Sequence, residues 1–333
     1  MATIADVARA AGVSPSTVSY VLSGKRSISA DTRQRVERSI RELGYHPNAG
    51  ARALASSKTN LLTLVVPLRT DINVPVVMQF VAATVTTART YDYDVLILTR
   101  DEGIEELPRV AASSIADALI VMDMEAADPR VSVLRSLDRP VVLIGLPDSH
   151  EGLTCVDLDF EAAGAKCVEH LASLGHRTVA LLGPSPVVYS RGTSYAGRFL
   201  NGFQQTATAH KMRATTMPCA PTYAALRTCL DNLLARRRAI TGLVVHNEAI
   251  LGPLLAELDK RGKKVPQDIS VVAVCPDDMA VSQAIPLTSV SIPAATVGQL
   301  AVEMAMKQLD GDRDPVIRLL PPELTDRGST APR

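Results

Sequence analysis

Ser16, Thr17, Ser19 and Tyr20 place four hydroxyl-bearing side chains within five residues of a 333-residue chain, flanked by Ser14 and Ser23. Such a cluster carries hydrogen-bonding tips suited to recognition. The elements that must position it can be read on either side. Thr3 and Asp6 make a capping-box-like pair opening a first helix, with Ile4, Val7 and Ala8 as its apolar stripe. Gly12 closes that helix, because glycine tolerates the left-handed conformation a helix stop often needs. Ser14 then caps a second helix, with Pro15 at the first position, where the missing N–H is not required. Val18, Val21 and Leu22 form its expected inward face, which leaves the hydroxyls outward. This is the outline of a helix-turn-helix whose second helix can present side chains to base edges. A plain helical hairpin shares the outline. A third helix, from about Asp31 to Leu43 with Val36, Ile40 and Leu43 inward and Gly44 as its stop, would complete a compact unit.

Charge separates those two readings. Within residues 1–60, nine Lys/Arg face four acids, a surplus of +5. The whole chain sums to zero, so residues 61–333 carry −5. A basic head on an acidic body is the electrostatic footprint of phosphate-backbone binding. Between them, Tyr45 to Asn60 holds Pro47 and then an Ala/Arg/Leu run. That run reads as a short helix of about two turns, marginal alone in water, or as a flexible linker.

From residue 61 the chain alternates strand and helix lengths. Leu61–Leu68, Tyr93–Thr99, Ala118–Met124 and Pro140–Leu146 are apolar runs, and Thr178–Gly183, Gly242–Asn247 and Ile269–Cys275 repeat the pattern. Continuously apolar strands mean sheets buried on both faces, hence parallel α/β. Two such sets imply two similar subdomains. Ligands in these folds bind beyond the carboxyl ends of the strands, so the polar residues just after strands are the pocket candidates. Arg69, Asp71 and Asn73 follow the first strand, and Asn247 and Glu248 follow the sixth.

Several function classes are disfavoured. The sequence has no Gly-x-Ser-x-Gly elbow, no Gly-x-x-x-x-Gly-Lys-Ser/Thr phosphate loop and no metal-binding histidine pair. Asp157 and Asp159 read as caps of one strand-to-helix loop, and His170 and His176 as packing residues. The five cysteines show no metal spacing and read as small buried residues in a reducing compartment. Neither enzymatic activity nor a metal or cofactor is expected. No apolar run approaches the ~18–20 residues of a membrane span, and no secretory leader starts at Met1. The expectation is a cytoplasmic protein without a membrane partner.

Thr3-Ile-Ala-Asp-Val-Ala, Ala11-Gly-Val-Ser14 and Thr17-Val-Ser-Tyr-Val-Leu22 resemble the LacI/GalR family of bacterial transcription regulators. So do Leu43-Gly-Tyr45, Ala51-Arg-Ala-Leu54, Glu169-His-Leu171, Val265-Pro-Gln-Asp-Ile-Ser-Val-Val272, Pro286-Leu-Thr-Ser-Val290 and Arg327-Gly-Ser-Thr330. The resemblance covers nearly the whole chain. It implies a helix-turn-helix head (1–46), a hinge helix or linker (47–60) and a periplasmic-binding-protein-like clamshell (61–333). The clamshell halves would be roughly 61–158 with 286–311, and 159–285 with 312–330.

The function implied is a repressor that binds a palindromic operator as a homodimer, gated by a small-molecule effector, a sugar or related metabolite, in the cleft. On that reading Thr3, Ser14, Ser16, Thr17, Ser19, Tyr20 and Ser23 face DNA, with Ser16 and Tyr20 reading bases. In the hinge, Asn48 and Arg52 would support Leu54, an apolar wedge in the minor groove. The effector set would be Arg69, Asp71, Asn73, Asp157, Arg191, Tyr195, Arg198 and Asn247, with Cys275 at the position where many members place an acid and Asp277 as its substitute. Aromatic content of 3% and the absence of Trp leave the ligand class open. Two alternatives stand beside this reading: a regulator answering to a protein partner, and a solute-binding protein.

Overall fold

A computed structural model of the protein describes residues 2–23, 26–45, 58–66, 68–69, 72–99, 116–235 and 239–333. The chain divides into two compact units, one through residue 59 and one from residue 60 onward. The first holds α1 (Ile4–Ala11), α2 (Pro15–Ser23) and α3 (Ala30–Glu42). Thr3 and Asp6 close the capping box on α1, and Gly12 ends it at φ 65°. Ser14 caps α2 by accepting from the Thr17 N–H at 3.2 Å. Val7, Ala8, Val18, Val21 and Val36 form the core between the helices.

Two apolar positions depart from expectation. Leu43 is 40% exposed, and Tyr45 is buried instead. Gly44 adopts φ 55° and turns the chain back, so that the Tyr45 N–H reaches the Ile40 carbonyl at 3.0 Å. Leu22 is also exposed; Val18 and Val21 share the inward face, and one further residue rotates the side chain about 100° away.

The second unit runs β1 (Leu61–Val65), α4 (Val74–Thr90), β2 (Asp94–Leu98), β3 (Ala118–Val121), α5 (Val131–Ser136), β4 (Val141–Ile144) and β5 (Thr154–Leu158). It continues with α6 (Phe160–Ser173), β6 (Thr178–Gly183), α7 (Pro186–Ser190), α8 (Ser194–Ala209), β7 (Arg213–Pro218), α9 (Tyr223–Leu234) and β8 (Gly242–Val245). A 3-10 turn over Glu248–Ile250 precedes α10 (Leu251–Lys260), β9 (Ser270–Cys275), α11 (Asp277–Val281) and β10 (Thr288–Ser291). The chain closes with α12 (Ala294–Leu309), β11 (Ile317–Leu320) and β12 (Leu324–Thr325).

Two six-stranded sheets result, ordered β11-β5-β4-β3-β1-β2 and β12-β10-β9-β8-β6-β7. Every pairing is parallel except that of β10 with β12. The two lobes thus repeat one strand order, with Val, Leu and Ile filling the layers between sheets and helices.

The lobe boundaries differ from those read in the sequence. β10 belongs to the second sheet and β11 to the first, while α12 packs on α4 and β4 of the first. The later crossings therefore fall at 291–294 and 320–324 rather than near 285 and 312. β11 and β12 are too short to announce their sheets.

Close backbone approach fixes the helix pairs. A Cβ added at Gly202 on α8 would collide with the Glu161 carbonyl of α6, and one at Gly164 with the Phe199 carbonyl. No helix among the described residues is long and apolar enough to cross a membrane.

Candidate functional site

Among the described residues, the polar groups singled out in the sequence gather in two places. The first is the outer side of α2. Ser16 is exposed there, and Thr17, Ser19 and Tyr20 are partly exposed. The Arg26 guanidinium lies 4.9 Å from the Tyr20 ring centroid, a cation–π contact that orients the ring. Three neighbouring hydroxyls have local duties. Thr3 donates to Asp6 at 2.7 Å, which holds that carboxyl below its ordinary range. Ser14 and Thr17 share a 2.9 Å hydrogen bond. The Ser23 side chain and residues Asn48, Arg52 and Leu54 lie outside the described residues.

The second is a cavity of about 160 Å³ between the two lobes of the second unit. Strand ends converge on it from both sheets: Val66 and Met122 from the first, Asp157 from β5, and His246 and Asn247 after β8. Asn73, the N-cap of α4, lines it while accepting from the Val76 N–H at 3.3 Å. Asp157 is buried at its wall, and burial pushes its carboxyl up to about 7 against the opposing pull of Arg198. Tyr195 packs 5.4 Å from Phe160 and 5.5 Å from His246, centroid to centroid. Burial drives the Tyr195 phenol well above its usual value.

Of the sequence-expected ligand contacts, Asn73, Asp157, Tyr195 and Asn247 line the cavity. The arginines do not; each is engaged by carboxylates beside it. Arg198 donates to Asp157 at 3.0 Å and lies 3.7 Å from Asp159. Arg191 lies 3.5 Å from Asp123 and 3.7 Å from Glu125, and Arg69 pairs with the same Asp123 carboxylate. Burial raises the Glu125 carboxyl, assisted by Asp128.

Cys275 and Asp277 are corrections to the sequence reading. Cys275 is the last residue of β9, fully buried in the apolar core of the second lobe, which pushes its thiol up to about 12. Asp277 opens α11 and pairs with Arg327 at 2.6 Å, outside the cavity lining. Asp157 sits within β5 rather than in the loop after it; only Asp159 caps, accepting from the Ala162 N–H at 3.1 Å. Asp71 lies outside the described residues.

Glu248, a pocket candidate from its place after the strand, is partly buried in the lining, and burial raises its carboxyl to about 7. The cavity also has members the sequence reading lacked. His246 is 3% exposed, is lowered to about 3 by burial, and its Nδ1 has no hydrogen-bond partner. Phe160 joins His246 and Tyr195 in an aromatic wall that a low overall aromatic content concealed. Strand-end position was the available signal for His246, one residue past β8.

A family model described as "Bacterial regulatory proteins, lacI family" matches residues 3–48, and one described as "Periplasmic binding protein-like domain" matches residues 168–330. The chain is 28% identical over 342 residues to the HTH-type transcriptional repressor PurR of Vibrio atlanticus (strain LGP32), covering 99% of this chain and 98% of that protein. Among solved structures it is similar to the Lac repressor bound to ONPG in the repressed state, with TM-score 0.84, 25% identity and 99% of both chains covered. It is also similar to a transcriptional regulator CelR–cellobiose complex, with TM-score 0.70, 25% identity, and 99% of this chain and 100% of that chain covered.

Proposed function

The chain belongs to the LacI/GalR family of bacterial transcriptional regulators, DNA-binding proteins and not enzymes, and from that premise we propose that it represses transcription as a ligand-gated homodimer. Two copies place two heads on a palindromic operator, because a two-fold protein reads two-fold DNA. Lys/Arg side chains of the head and helix N-termini hold phosphates and supply the salt-sensitive part of the affinity. Ser16 and Tyr20 read base edges, and Thr17 contacts phosphate or base. Residues 47–60 act as the hinge, where Leu54 wedges the minor groove with Asn48 and Arg52 beside it.

The observation that carries the gating half is the cavity between the lobes. It joins an aromatic wall to polar groups converging from both sheets. A molecule seated there touches both lobes at once, so it favours whichever lobe arrangement fits it, and that preference is passed to the heads. Carboxylates hold Arg69, Arg191 and Arg198 outside the lining. They therefore shape the wall, and the direct contacts fall to Asn73, Asp157, Tyr195 and Asn247.

The test is selection of genomic fragments by the purified full-length protein, followed by sequencing. One palindrome with a flexible central step is the expected result, and the neighbouring genes then supply molecules to titrate into the complex. Recovery of fragments without a shared motif, with binding that vanishes at moderate salt, overturns the operator reading.

A further inference from the structure

We infer that the cavity takes a neutral or cationic, donor-rich small molecule built on a single ring, and rejects ligands carrying phosphate or carboxylate. This rests on the ligand-gated reading above and concerns what the gate admits.

The polar lining is acidic. Asp123, Asp157 and Glu248 all contribute, and no Lys or Arg is among the described lining residues. The three nearby guanidiniums are committed: Arg198 to Asp157 and Asp159, Arg191 to Asp123 and Glu125, and Arg69 to Asp123. Glu248 has no cationic partner among the described residues. Among the described residues, an entering anion therefore meets carboxyl groups whose neighbouring guanidiniums are already engaged. Burial lowers the local dielectric and strengthens that repulsion where the carboxyls are ionised, which for Asp157 and Glu248, raised to about 7, means above neutral pH.

The open polar groups of the lining include donors, the Asn73 amide hydrogens and the Tyr195 and Ser185 hydroxyls, beside a set of acceptors. Asn247 spends both amide hydrogens, on the Gly183 carbonyl at 3.3 Å and the Cys219 carbonyl at 2.8 Å, so only its oxygen is left for a ligand. Glu248 offers carboxylate oxygens. His246 is neutral and its Nδ1 is unpaired, so it accepts or donates according to tautomer. Acceptors gathered this way call for hydroxyl or amino hydrogens on the ligand. Phe160, Tyr195 and Phe80 supply the apolar face against which a ring can lie. At about 160 Å³ the space is close to the roughly 150 Å³ in which an apolar cavity holds one benzene ring.

The experiment uses the full-length chain and matched one-ring series: hexoses, pentoses and cyclitols, each as the neutral compound, the amino derivative, the phosphate and the uronate where it exists. Thermal shift screens the panel, and calorimetry measures the dissociation constants of the hits. The expected result is that at least one neutral or amino compound binds, with its phosphate and uronate at least tenfold weaker. For an amino hit, Glu248→Gln raises the dissociation constant tenfold or more, with a circular-dichroism melt confirming that the variant is folded. A phosphate or uronate that binds tighter than its neutral parent overturns the charge inference and leaves ligand gating standing. Silence across the whole panel, with palindrome binding intact, overturns the ligand-gated reading and this inference with it.

Discussion

Arg198 Nη1 donates to Asp157 Oδ2 at 3.0 Å, and only the aspartate of this pair lines the cavity. The arginine fixes the carboxylate from within the wall, and also donates to the Leu158 carbonyl at 3.4 Å. Both side chains are largely shielded, at 16% and 9% exposure. Removing one partner strands a buried charge, which costs about 3–5 kcal/mol. Arg198→Ala is therefore expected to lower stability by about 3 kcal/mol in urea melts. Arg198→Lys should recover part of that, since it restores the charge without the planar fork. Unchanged melts for Arg198→Ala would show that the pair contributes nothing.

Three buried titratable groups in the cavity wall should make stability greatest on the acid side of neutral. Burial raises the Asp157 and Glu248 carboxyls to about 7 in the folded protein. Between their ordinary values near 4 and about 7, the folded state holds protons that the unfolded state has released, so stability falls as pH rises through that window. His246 works in the other direction. Its folded value near 3 means the unfolded state takes up a proton first, so stability falls as pH drops from about 6.5 toward 3. Two carboxyls outweigh one imidazole above about pH 4, so these three groups together should make melting temperatures measured from pH 3 to 8 highest near 4 and lower toward 7. Glu248→Gln should flatten the alkaline limb and His246→Phe the acid one.

The α6–α8 pair makes a sharper structural test. Gly202→Ala pushes a methyl into the Glu161 carbonyl, so the helices must part. The expected loss is about 3 kcal/mol, the upper range for overpacking. Gly197→Ala is the control on the same helix. Its added methyl meets nothing within 4 Å, and replacing a helical glycine there should be neutral or stabilise by up to about 1 kcal/mol. Chemical denaturation of both variants side by side decides the matter; equal losses would count against the steric account.

On α2, Tyr20→Ala should relax sequence preference more than it weakens bulk DNA binding. Losing one specific base contact costs about 1–3 kcal/mol on the preferred site. Binding isotherms on selected and random DNA at fixed salt measure the difference. An equal loss on both would assign Tyr20 to the phosphate backbone instead.

The head was legible because its signals are local. Thr3 with Asp6, Gly12, and Ser14 with Pro15 each act over three or four residues. The main strands were legible as Val- and Leu-rich runs. β7 was not, since Arg213-Ala-Thr-Thr-Met-Pro218 is an edge strand whose residues are partly or fully exposed, with no apolar run to mark it. β10 hides for a different reason: Thr288 and Ser289 are buried, but Ser329, Asp326 and Arg327 satisfy them from 38–41 residues away. In the cavity, the strand-end rule located Asn73 and Asn247. It could not tell a ligand-facing arginine from one already held, because Asp123 and Asp157 meet Arg191 and Arg198 across 68 and 41 residues. Cys275 was misplaced because position in a strand does not reveal which side of the sheet a residue faces.

The late crossings of the chain between lobes bear on the order in which the protein is made. β11 completes one sheet and β12 the other, so neither lobe has all its strands until synthesis has passed residue 320. The head, with a core drawn from its own residues, can settle once it leaves the ribosome. At about 5–20 residues per second, the nascent chain carries a finished three-helix head for roughly 13–50 seconds before the body is complete. On the function proposed above, the head in that interval is a lone half-site reader, held to weak and salt-sensitive contacts.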